Sequence, residues 1–303
     1  MEYITVKEAS ELWKISERMV RKYCDQGKIE GVIHVGNIWV IPLDTERPNE
    51  EKAKPDPLTP LANKVTYQKQ KNAHYGIHEY IQVNLAYSSS RMASNRLTRD
   101  QVMEIYRTGK ISVAFEPMKI DDVVEISNHF RAGRYMVDTI SEELSSVYFR
   151  KLHQKLFRGT KADQEGVLQI GAYRKTPDKY GVAAASVASQ MSALIEEYEK
   201  KKNKELRDIL EFHAKFERIH PFEDGNGRVG RMVMMKECLR HGIDPFIIDD
   251  KHRGAYNRGI GCWDTDPTVL TDVALKAQRR FQNQKVTLDL MDYCRPPVGR
   301  GAR

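Results

Sequence analysis

The chain has little cysteine and no long hydrophobic run. Four of its 303 residues are cysteines, at positions 24, 238, 262 and 294, and they form no C-x-x-C pair. Cysteines scattered in this way exclude a disulfide framework and a zinc-finger pattern, and they are typical of a reduced cytosolic protein. A mean hydropathy of -0.60 and the lack of a membrane-length apolar run exclude an integral membrane protein.

The first residues also lack the pattern of a secretory signal, in which a basic region precedes an apolar stretch. We therefore expect a cytoplasmic protein without a membrane partner. The length of 303 residues predicts about two domains. A formal net charge of +7 permits acidic partners such as ATP or nucleic acid and requires neither.

One run of twelve residues, His220 to Arg231, reads HPFEDGNGRVGR and leads directly into an apolar helix. Gly225 and Gly227 flank Asn226, so the backbone can turn tightly there and point its N–H groups at an anion. The helix that follows adds the positive end of its dipole. The run therefore predicts a turn that binds phosphate.

The side chains of this run supply the remaining chemistry. His220 titrates near neutrality and can take a proton from an incoming hydroxyl. Asp224 is a hard oxygen ligand suited to Mg²⁺, and Arg228 and Arg231 offer planar forks for phosphate oxygens. A capped surface helix with an incidental histidine would not explain why a histidine is combined with two arginines.

Every fixed position of the run matches the signature H-P-F-x-[DE]-G-N-G-R-x-x-R, so the chain resembles the Fic family over roughly residues 75–283. Most characterised Fic enzymes move AMP from ATP to a protein hydroxyl. The resemblance implies that His220 is the general base, that Phe222 anchors the loop in the core and that Asp224 holds Mg²⁺ or Mn²⁺. The phosphate ligands that it implies are Gly225, Asn226, Gly227, Arg228 and Arg231.

A segment before the motif, residues 166–181, contains the stretch Gly171-Ala172-Tyr173-Arg174. Fic proteins carry a β-hairpin flap at this point, which aligns the backbone of the target protein by strand addition. The resemblance implies that Tyr173 and Arg174 belong to this target-docking flap. An ordinary surface hairpin is the alternative.

After the motif, His252, Tyr256 and Asn257 lie on a predicted helix. In Fic proteins this helix borders the adenine and the ribose, and an aromatic side chain there can stack on the base. The resemblance therefore implies that Tyr256 and Asn257 contact the nucleoside.

The chain departs from the family at residues 89–94. Many Fic enzymes carry an inhibitory helix with the motif [ST]-x-x-x-E-[GN], whose glutamate pairs with the second arginine of the signature. Here Ser89 fits the first position, but Ala93 replaces the glutamate and Ser94 replaces Gly or Asn. Either the alignment is displaced, or the chain naturally lacks this restraint, or the glutamate has been substituted. We expect an unrestrained enzyme that can modify itself.

Three other functions were weighed. Doc-type kinases of the same superfamily carry Lys where this chain has Gly227, and they transfer the γ-phosphate instead of AMP. Removal of AMP, known in some Fic proteins, needs the inhibitory glutamate that Ala93 replaces. A DNA-binding regulator whose Fic domain only senses nucleotide would have no need of His220 as a base. AMP transfer is therefore favoured, with the regulator as the alternative.

The first 44 residues predict a separate module. A capping box at residues 5–8 starts one short helix, and Ser16 can cap a second, Glu17 to Asp25. Residues 32–35 and 38–41, joined by a Gly-Asn turn, predict a β-hairpin. Two short helices followed by a hairpin resemble the winged helix-turn-helix of excisionase and MerR-type proteins.

In such a module the second helix would contact DNA, through Arg18, Arg21 and Lys22. Residues 1–47 nevertheless hold seven Lys or Arg against eight Asp or Glu, whereas a DNA-binding domain usually has a net basic surface. DNA binding and a protein-docking or purely structural role both remain open.

The sequence therefore predicts a mainly α protein in four parts. Residues 1–44 form the winged module, and residues 45–60 form a proline-rich linker. Residues 61–283 form a Fic-type helical domain with a small hairpin flap, and the inhibitory-helix region lies near residues 88–95. Residues 284–303 form a disordered tail. Apolar periodicity places helices from Asp121, from Ser141, from Ser186, from Glu205 and after Arg231.

Overall fold

The computed structural model describes residues 3–13, 15–29, 31–35, 38–43, 45, 47, 57–112, 118–179 and 181–294. The chain divides into two compact units, residues 1–55 and residues 56–303. Among the described residues, no helix is both long enough and apolar enough to span a lipid bilayer.

The first unit contains two short helices and a three-stranded antiparallel sheet. Its elements are β1 (Tyr3–Thr5), α1 (Val6–Trp13), α2 (Glu17–Asp25), β2 (Ile33–Val35) and β3 (Ile38–Pro42), with the strands in the order β1-β3-β2. The predicted caps are confirmed: Glu8 accepts a hydrogen bond from the Thr5 backbone N–H at 2.7 Å, and Ser16 accepts one from the Met19 N–H at 3.3 Å.

Strand β1 was not predicted. It pairs with β3, with Ile4 opposite Ile41, and the sheet and both helices enclose a small core that includes Ala9, Val20 and Ile41. The hairpin of β2 and β3 is confirmed, while its predicted Gly-Asn turn lies outside the described residues.

The second unit is helical. Its α-helices, in chain order, are α3 (Pro60–Gln70), α4 (Ile77–Met92), α5 (Arg99–Thr108), α6 (Ile120–Asp138), α7 (Ser146–Phe157), α8 (Lys161–Gln164), α9 (Val187–Lys200), α10 (Leu206–Ile219), α11 (Asn226–His241), α12 (Arg253–Gly261) and α13 (Thr268–Cys294). Single 3₁₀ turns precede α9 and α12.

Helix α11 lies at the centre of this unit. Nearly all of its side chains are buried, because α3, α4, α6, α7 and α10 pack around it. A helix that is enclosed on every side needs apolar residues all round, and the run Val229 to Leu239 supplies most of them. The first turn of this buried helix belongs to the signature run, so the motif is fixed to the core.

The structure corrects several predictions. The expected hairpin flap contains no strand among residues 166–179 and 181, and its backbone groups bond instead to the end of α10 and the loop that follows. Helix α7 begins at Ser146, where Ser145 provides the cap, rather than at residue 141. Pro60, placed in the linker, is the first residue of α3 behind the cap of Thr59.

The predicted tail is also partly wrong. Helix α13 continues to Cys294, so residues 284–294 are helical and not disordered. Leu288 is buried in the main core, and the Lys64 ammonium pairs with the Asp289 carboxylate at 2.6 Å. These contacts stabilise the last turns of α13, which composition alone does not predict to be helical. Residues 295–303 lie outside the described part of the chain.

Candidate active site

Two residues of the signature run, His220 and Gly225, have left-handed backbone. Helix α10 ends at Ile219, and His220 caps it with φ +50° while its N–H still bonds to the Phe216 carbonyl at 3.1 Å. Gly225, with φ +82°, precedes α11. A Cβ atom at Gly225 would lie 2.3 Å from the ring of Phe157, so this turn requires glycine for both its backbone angle and its space.

Asn226 fixes the shape of the loop between these two points. Its buried amide accepts a hydrogen bond from the Phe222 N–H at 2.9 Å and donates one to the Phe222 carbonyl at 2.8 Å. Phe222 is fully buried, as predicted for the anchor of the loop. Asn226 therefore positions the loop through its side chain, and its contact with a phosphate stays a prediction.

His153 of α7 supports the same loop and was missed by sequence reasoning. Its ring stacks on Phe222 with centroids 4.1 Å apart, its Nε2 lies 3.1 Å from the Asp224 carbonyl, and its Nδ1 accepts from the Gly171 N–H at 2.9 Å. Burial lowers the pKa of His153 to about 4, so the ring is neutral. A single histidine among apolar residues gives no sequence signal of this role.

Arg228 is held between two carboxylates. Its Nη2 lies 2.8 Å from Asp224 Oδ2 and its Nη1 lies 3.3 Å from Glu125 Oε1 of α6, while its guanidinium covers the ring of Phe157. Burial raises the pKa of Glu125 although Arg228 opposes the shift. Glu125 also accepts a hydrogen bond from Asn95 at 3.3 Å. No motif or spacing in the sequence indicated that Glu125 belongs to the site.

Arg231 lies one turn further along α11 and contacts α4. Its Nε donates to the Ser89 hydroxyl at 3.0 Å and its Nη2 donates to the Ser89 carbonyl at 3.2 Å. Ala93, the C-cap of α4, is exposed and lies one helical turn beyond Ser89. Helix α4 therefore contacts Arg231, the second arginine of the run, through Ser89. Ser89 is the residue that matches the first position of the inhibitory motif.

Two titratable groups of α10 lie behind Arg231. Glu217 is only 14% exposed, its Oε1 lies 3.7 Å from His213 Nε2, and burial raises its pKa to about 7 against the opposing charge of Arg231. Burial likewise lowers the pKa of His213 to about 3, assisted by Arg231. Gly230 leaves room for both, since a Cβ there would lie 2.6 Å from His213.

The residues predicted to contact adenine and ribose differ in exposure. Tyr256 is buried, its hydroxyl lies 2.5 Å from His213 Nε2, and its ring faces the Arg231 guanidinium at 5.8 Å. Asn257 is exposed, and His252 Nδ1 lies 2.5 Å from Asp249 Oδ1. Tyr256 thus supports Arg231 in this structure, and the contact of either residue with the nucleoside stays a prediction.

The flap segment is anchored by the two residues expected to dock a target. Arg174 is buried and donates to the carbonyl groups of Thr176, Val182, Ile219 and His220. Tyr173 packs against Phe222 with centroids 5.4 Å apart. Both side chains hold the segment to the signature run, and target docking by them stays a prediction.

The same segment brings a carboxylate to His220. Asp178 Oδ2 lies 3.2 Å from His220 Nδ1. Sequence reasoning did not single out Asp178, because the only signal in the segment was the G-x-Y-R stretch that precedes it.

The described residues hold no cluster of three or more His, Cys, Asp or Glu side chains that could bind a metal by themselves. Asp224 is nevertheless 64% exposed at the start of α11. Mg²⁺ in phosphate chemistry is usually held by one or two carboxylates together with the phosphates of the substrate, so the exposed Asp224 carboxylate fits an ion that arrives with ATP.

In the first unit, Arg18, Arg21 and Lys22 are all exposed on α2. Arg21 pairs with Glu17 at 3.0 Å on the same helix. The three cations thus share one accessible helix, and their contact with DNA stays a prediction.

Comparison with known proteins agrees with this geometry. Residues 143–238 match the sequence model of the Fic/DOC family. The chain is similar to the protein adenylyltransferase Fic of Culex quinquefasciatus, at 28% identity over 180 residues, and to the protein of that name from Drosophila mojavensis, at 26% over 225 residues. These alignments cover 56% and 71% of this chain but 34% and 42% of the relatives, so the chain spans well under half of their length.

Solved structures share the fold. A Fic domain containing signaling protein from Bacteroides thetaiotaomicron has a TM-score of 0.55 at 20% identity, covering 78% of this chain and 90% of its own. Fic-1 from C. elegans has a TM-score of 0.59 at 18% identity, covering 76% and 72%. The chain therefore shares the helical fold of these Fic structures. The chain carries a Fic/DOC domain, matched at residues 143–238.

Proposed function

We propose that this chain is a protein adenylyltransferase, which transfers AMP from ATP to a Ser, Thr or Tyr hydroxyl of a protein. The observation that carries the proposal is the arrangement of the signature run: His220 stands at the end of α10, and a glycine turn leads from it into the buried helix that bears both arginines. A base, an anion-binding helix start and two phosphate ligands are thereby held on one rigid segment.

The reaction is an in-line attack of the hydroxyl oxygen on the α-phosphorus. His220 takes the proton of the hydroxyl, a bond forms between that oxygen and phosphorus, and pyrophosphate leaves. The backbone N–H groups of Asn226 and Gly227 bind the α- and β-phosphates at the start of α11, while the Gly225 N–H is bonded to Asp224 Oδ1. Arg228 and Arg231 bind the β- and γ-phosphates and stabilise charge on the leaving group.

We assign Asp224 as the residue that holds Mg²⁺ or Mn²⁺, because its carboxylate is exposed beside the turn. The ion, when bound with ATP, neutralises phosphate charge. The orientation of Asp224 is already set in the protein, since Oδ1 accepts from the Gly225 N–H at 2.5 Å and Oδ2 pairs with Arg228.

We also propose that the chain modifies itself. No carboxylate occupies position 93, so that position provides no partner that would withhold Arg231 from the γ-phosphate. Hydroxyls of the same chain are present at a high effective concentration. The exposed cations of α2 support a further proposal, that the first unit binds DNA; a protein-docking role of that unit is the competing outcome.

The test is incubation of the protein with ATP labelled at the α- or at the γ-phosphate, in the presence of Mg²⁺. We expect α-label on protein, and its loss by about 10²- to 10⁴-fold in His220→Ala, the usual effect of removing a general base. ATP binding by that variant, measured by calorimetry, should persist. Protein labelled from the γ-position would instead identify a kinase, and nucleotide binding without any labelling would support the sensing regulator.

A further inference from the structure

The segment before the signature run carries a carboxylate, Asp178, that faces the proposed base. Asp178 Oδ2 lies 3.2 Å from His220 Nδ1, and the two side chains are 20% and 25% exposed. Resting on the proposed function, we propose that Asp178 is a positioning residue, which holds the His220 ring in the tautomer with hydrogen on Nδ1 and leaves Nε2 free to accept the proton of the attacking hydroxyl.

The carboxylate of Asp178 is itself held in place. Its second oxygen, Oδ1, accepts a hydrogen bond from the Gly181 N–H at 2.8 Å. A Cβ atom at Gly181 would lie 2.9 Å from His220 Cβ and 3.0 Å from the Ile219 carbonyl oxygen. Gly181 therefore lies directly against the base, and only glycine permits this approach.

Arg174 joins the two sides of this arrangement. It donates through Nε to the His220 carbonyl at 2.7 Å and through Nη1 to the Thr176 carbonyl at 2.9 Å, and its own N–H bonds to the Pro221 carbonyl at 2.9 Å. One buried side chain thus binds both the segment that carries Asp178 and the residue that Asp178 faces. The spacing between carboxylate and imidazole is fixed by this shared anchor.

The chemistry of the pair follows from the two nitrogens of imidazole. In the neutral ring one nitrogen carries a hydrogen atom and the other can accept a hydrogen bond. A carboxylate beside Nδ1 favours the tautomer with hydrogen on Nδ1. Proton transfer from the hydroxyl to Nε2 then gives an imidazolium, whose charge the same carboxylate stabilises, as an aspartate does in hydrolytic triads. The proton later leaves Nε2 for solvent.

The alignment of the pair is incomplete in the free protein. His220 Nδ1 makes no well-directed hydrogen bond to any residue that the structure describes, although Asp178 lies within ion-pair distance. Hydrogen bonds of catalytic groups are often long or poorly aligned without substrate and tighten when it binds. Asp178 and His220 are thus close enough to form a well-aligned hydrogen bond when substrate binds.

The test reads the tautomer of His220 directly. Protein labelled with ¹⁵N-histidine is studied by NMR about two units above the ordinary histidine pKa of about 6.5, with the His220 signals assigned from the spectrum of His220→Ala. We expect Nδ1–H in the unaltered chain. In Asp178→Asn, whose amide can donate to Nδ1, we expect the Nε2–H form to be populated.

Turnover gives the second readout. Asp178→Asn should reduce kcat for AMP transfer by about 10² or more, within the range of general-base effects, while KM for ATP changes less than threefold. Asp178→Glu, which retains a carboxylate, should keep the Nδ1–H form and lose less turnover. Glu223→Gln is the matched control: Glu223 also contacts the segment, through the Gln169 N–H at 3.2 Å, and its replacement should leave tautomer and kcat nearly unchanged.

An Nε2–H ring in the unaltered chain, or an Asp178→Asn variant with unchanged tautomer and kcat, would overturn the proposal. The NMR measurement needs no activity. If the unaltered chain shows the Nδ1–H form and transfers no AMP, the proposed function fails while the positioning by Asp178 stands.

Discussion

Arg231 donates hydrogen bonds to both the hydroxyl and the carbonyl oxygen of Ser89, a residue 142 positions earlier in the chain. The contact brings the end of α4 to the guanidinium that we assign to the γ-phosphate. It also argues against a displaced alignment at residues 89–94, because the serine of that stretch meets the arginine that the inhibitory motif restrains in Fic proteins. What the stretch lacks is a carboxylate one turn later, at Ala93.

Restoring that charge should restore the restraint. Ala93→Glu places a carboxylate on the Arg231 side of α4, where it can form a charge-assisted pair with the guanidinium. We expect self-labelling from α-labelled ATP to fall about tenfold or more, which corresponds to about 1.4 kcal/mol of transition-state stabilisation. ATP binding should be retained.

Ala93→Gln is the matched control for this change, because it adds nearly the same volume without charge and should keep most of the labelling. Arg231→Ala in the Ala93→Glu background should not recover activity, since it removes the phosphate ligand together with the partner of the new glutamate. An unchanged labelling rate in Ala93→Glu would show that α4 does not restrain this site.

The two acids of the signature run should respond differently to mutation. AMP transfer should require Mg²⁺ or Mn²⁺ and stop on addition of a chelator. Asp224→Ala should abolish transfer, because a Mg²⁺ ion bound to substrate phosphates is held by only one or two protein carboxylates, and the variant removes the one that we assign. Glu223→Ala should keep turnover within a few-fold. If Glu223→Ala were inactive and Asp224→Ala active, the assignment of the metal ligand would be wrong.

The pH dependence of stability should reflect the buried histidines. Burial lowers the pKa of His78 and His153 to about 4 and that of His129 and His213 to about 3. In the unfolded chain the histidine pKa values are near 6.5. At pH values between 6.5 and the lowered pKa values, these histidines therefore bind more protons in the unfolded chain than in the folded protein. The free energy of unfolding must therefore fall as the pH is lowered through this window.

Each of these histidines can contribute up to about 1.4 kcal/mol per pH unit. Urea unfolding at a series of pH values measures the slope. Glu217, whose pKa burial raises to about 7, opposes part of this slope. His129→Leu, which removes one buried histidine, should reduce the slope between pH 6 and 4 by up to about 1.4 kcal/mol per pH unit. A stability that stays constant down to pH 4 would contradict the neutral, buried state of these rings.

The first unit should be dispensable for catalysis. Deletion of residues 1–58 removes it together with the proline-rich segment and leaves Thr59 to cap α3. Because the chain divides into units at residue 55, we expect turnover within a few-fold of the full chain. Self-labelling of both proteins at equal concentration measures this, and a loss beyond tenfold would show that the first unit takes part in the reaction.

DNA binding by the same unit has a separate test. If α2 contacts phosphates, Arg21→Ala should weaken binding and the affinity of the full chain should fall steeply as salt rises. Fluorescence anisotropy with promoter-length DNA at two salt concentrations provides the measurement. No binding at low salt would favour the docking role.

The sequence predicted those parts of the protein whose cause is local. The caps at Thr5 and Ser16 and the glycine turn into α11 depend on residues a few positions apart, and the structure contains all of them. The resemblance to the Fic family likewise depends on residues within one run of twelve positions. The resemblance to the Fic family also implies a hairpin flap at residues 166–181, and that expectation is wrong for the residues of the segment that the structure describes.

The failures have a common physical origin. Among residues 166–179 and 181 no strand forms, and the segment is instead held by hydrogen bonds from Arg174 to carbonyl groups 45 and 46 positions away. The partners Glu125, His153 and Asp178 were missed for the same reason, since each meets the signature run only through tertiary packing. Helix α13 extends past residue 283 because Leu288 is buried in the core.

The two carboxylates that flank Arg228 change what nucleotide binding involves. The guanidinium is already stripped of most of its water and already paired with anionic oxygens in the free protein. An arriving phosphate therefore exchanges one set of anionic neighbours for another, and the cost of dehydrating the arginine has been met during folding. Glu125, released from Arg228, remains tied to Asn95 beyond the end of α4. If a phosphate binds Arg228 as we propose, nucleotide should therefore alter amide hydrogen exchange at the junction of α4 and α6, well outside its own contacts.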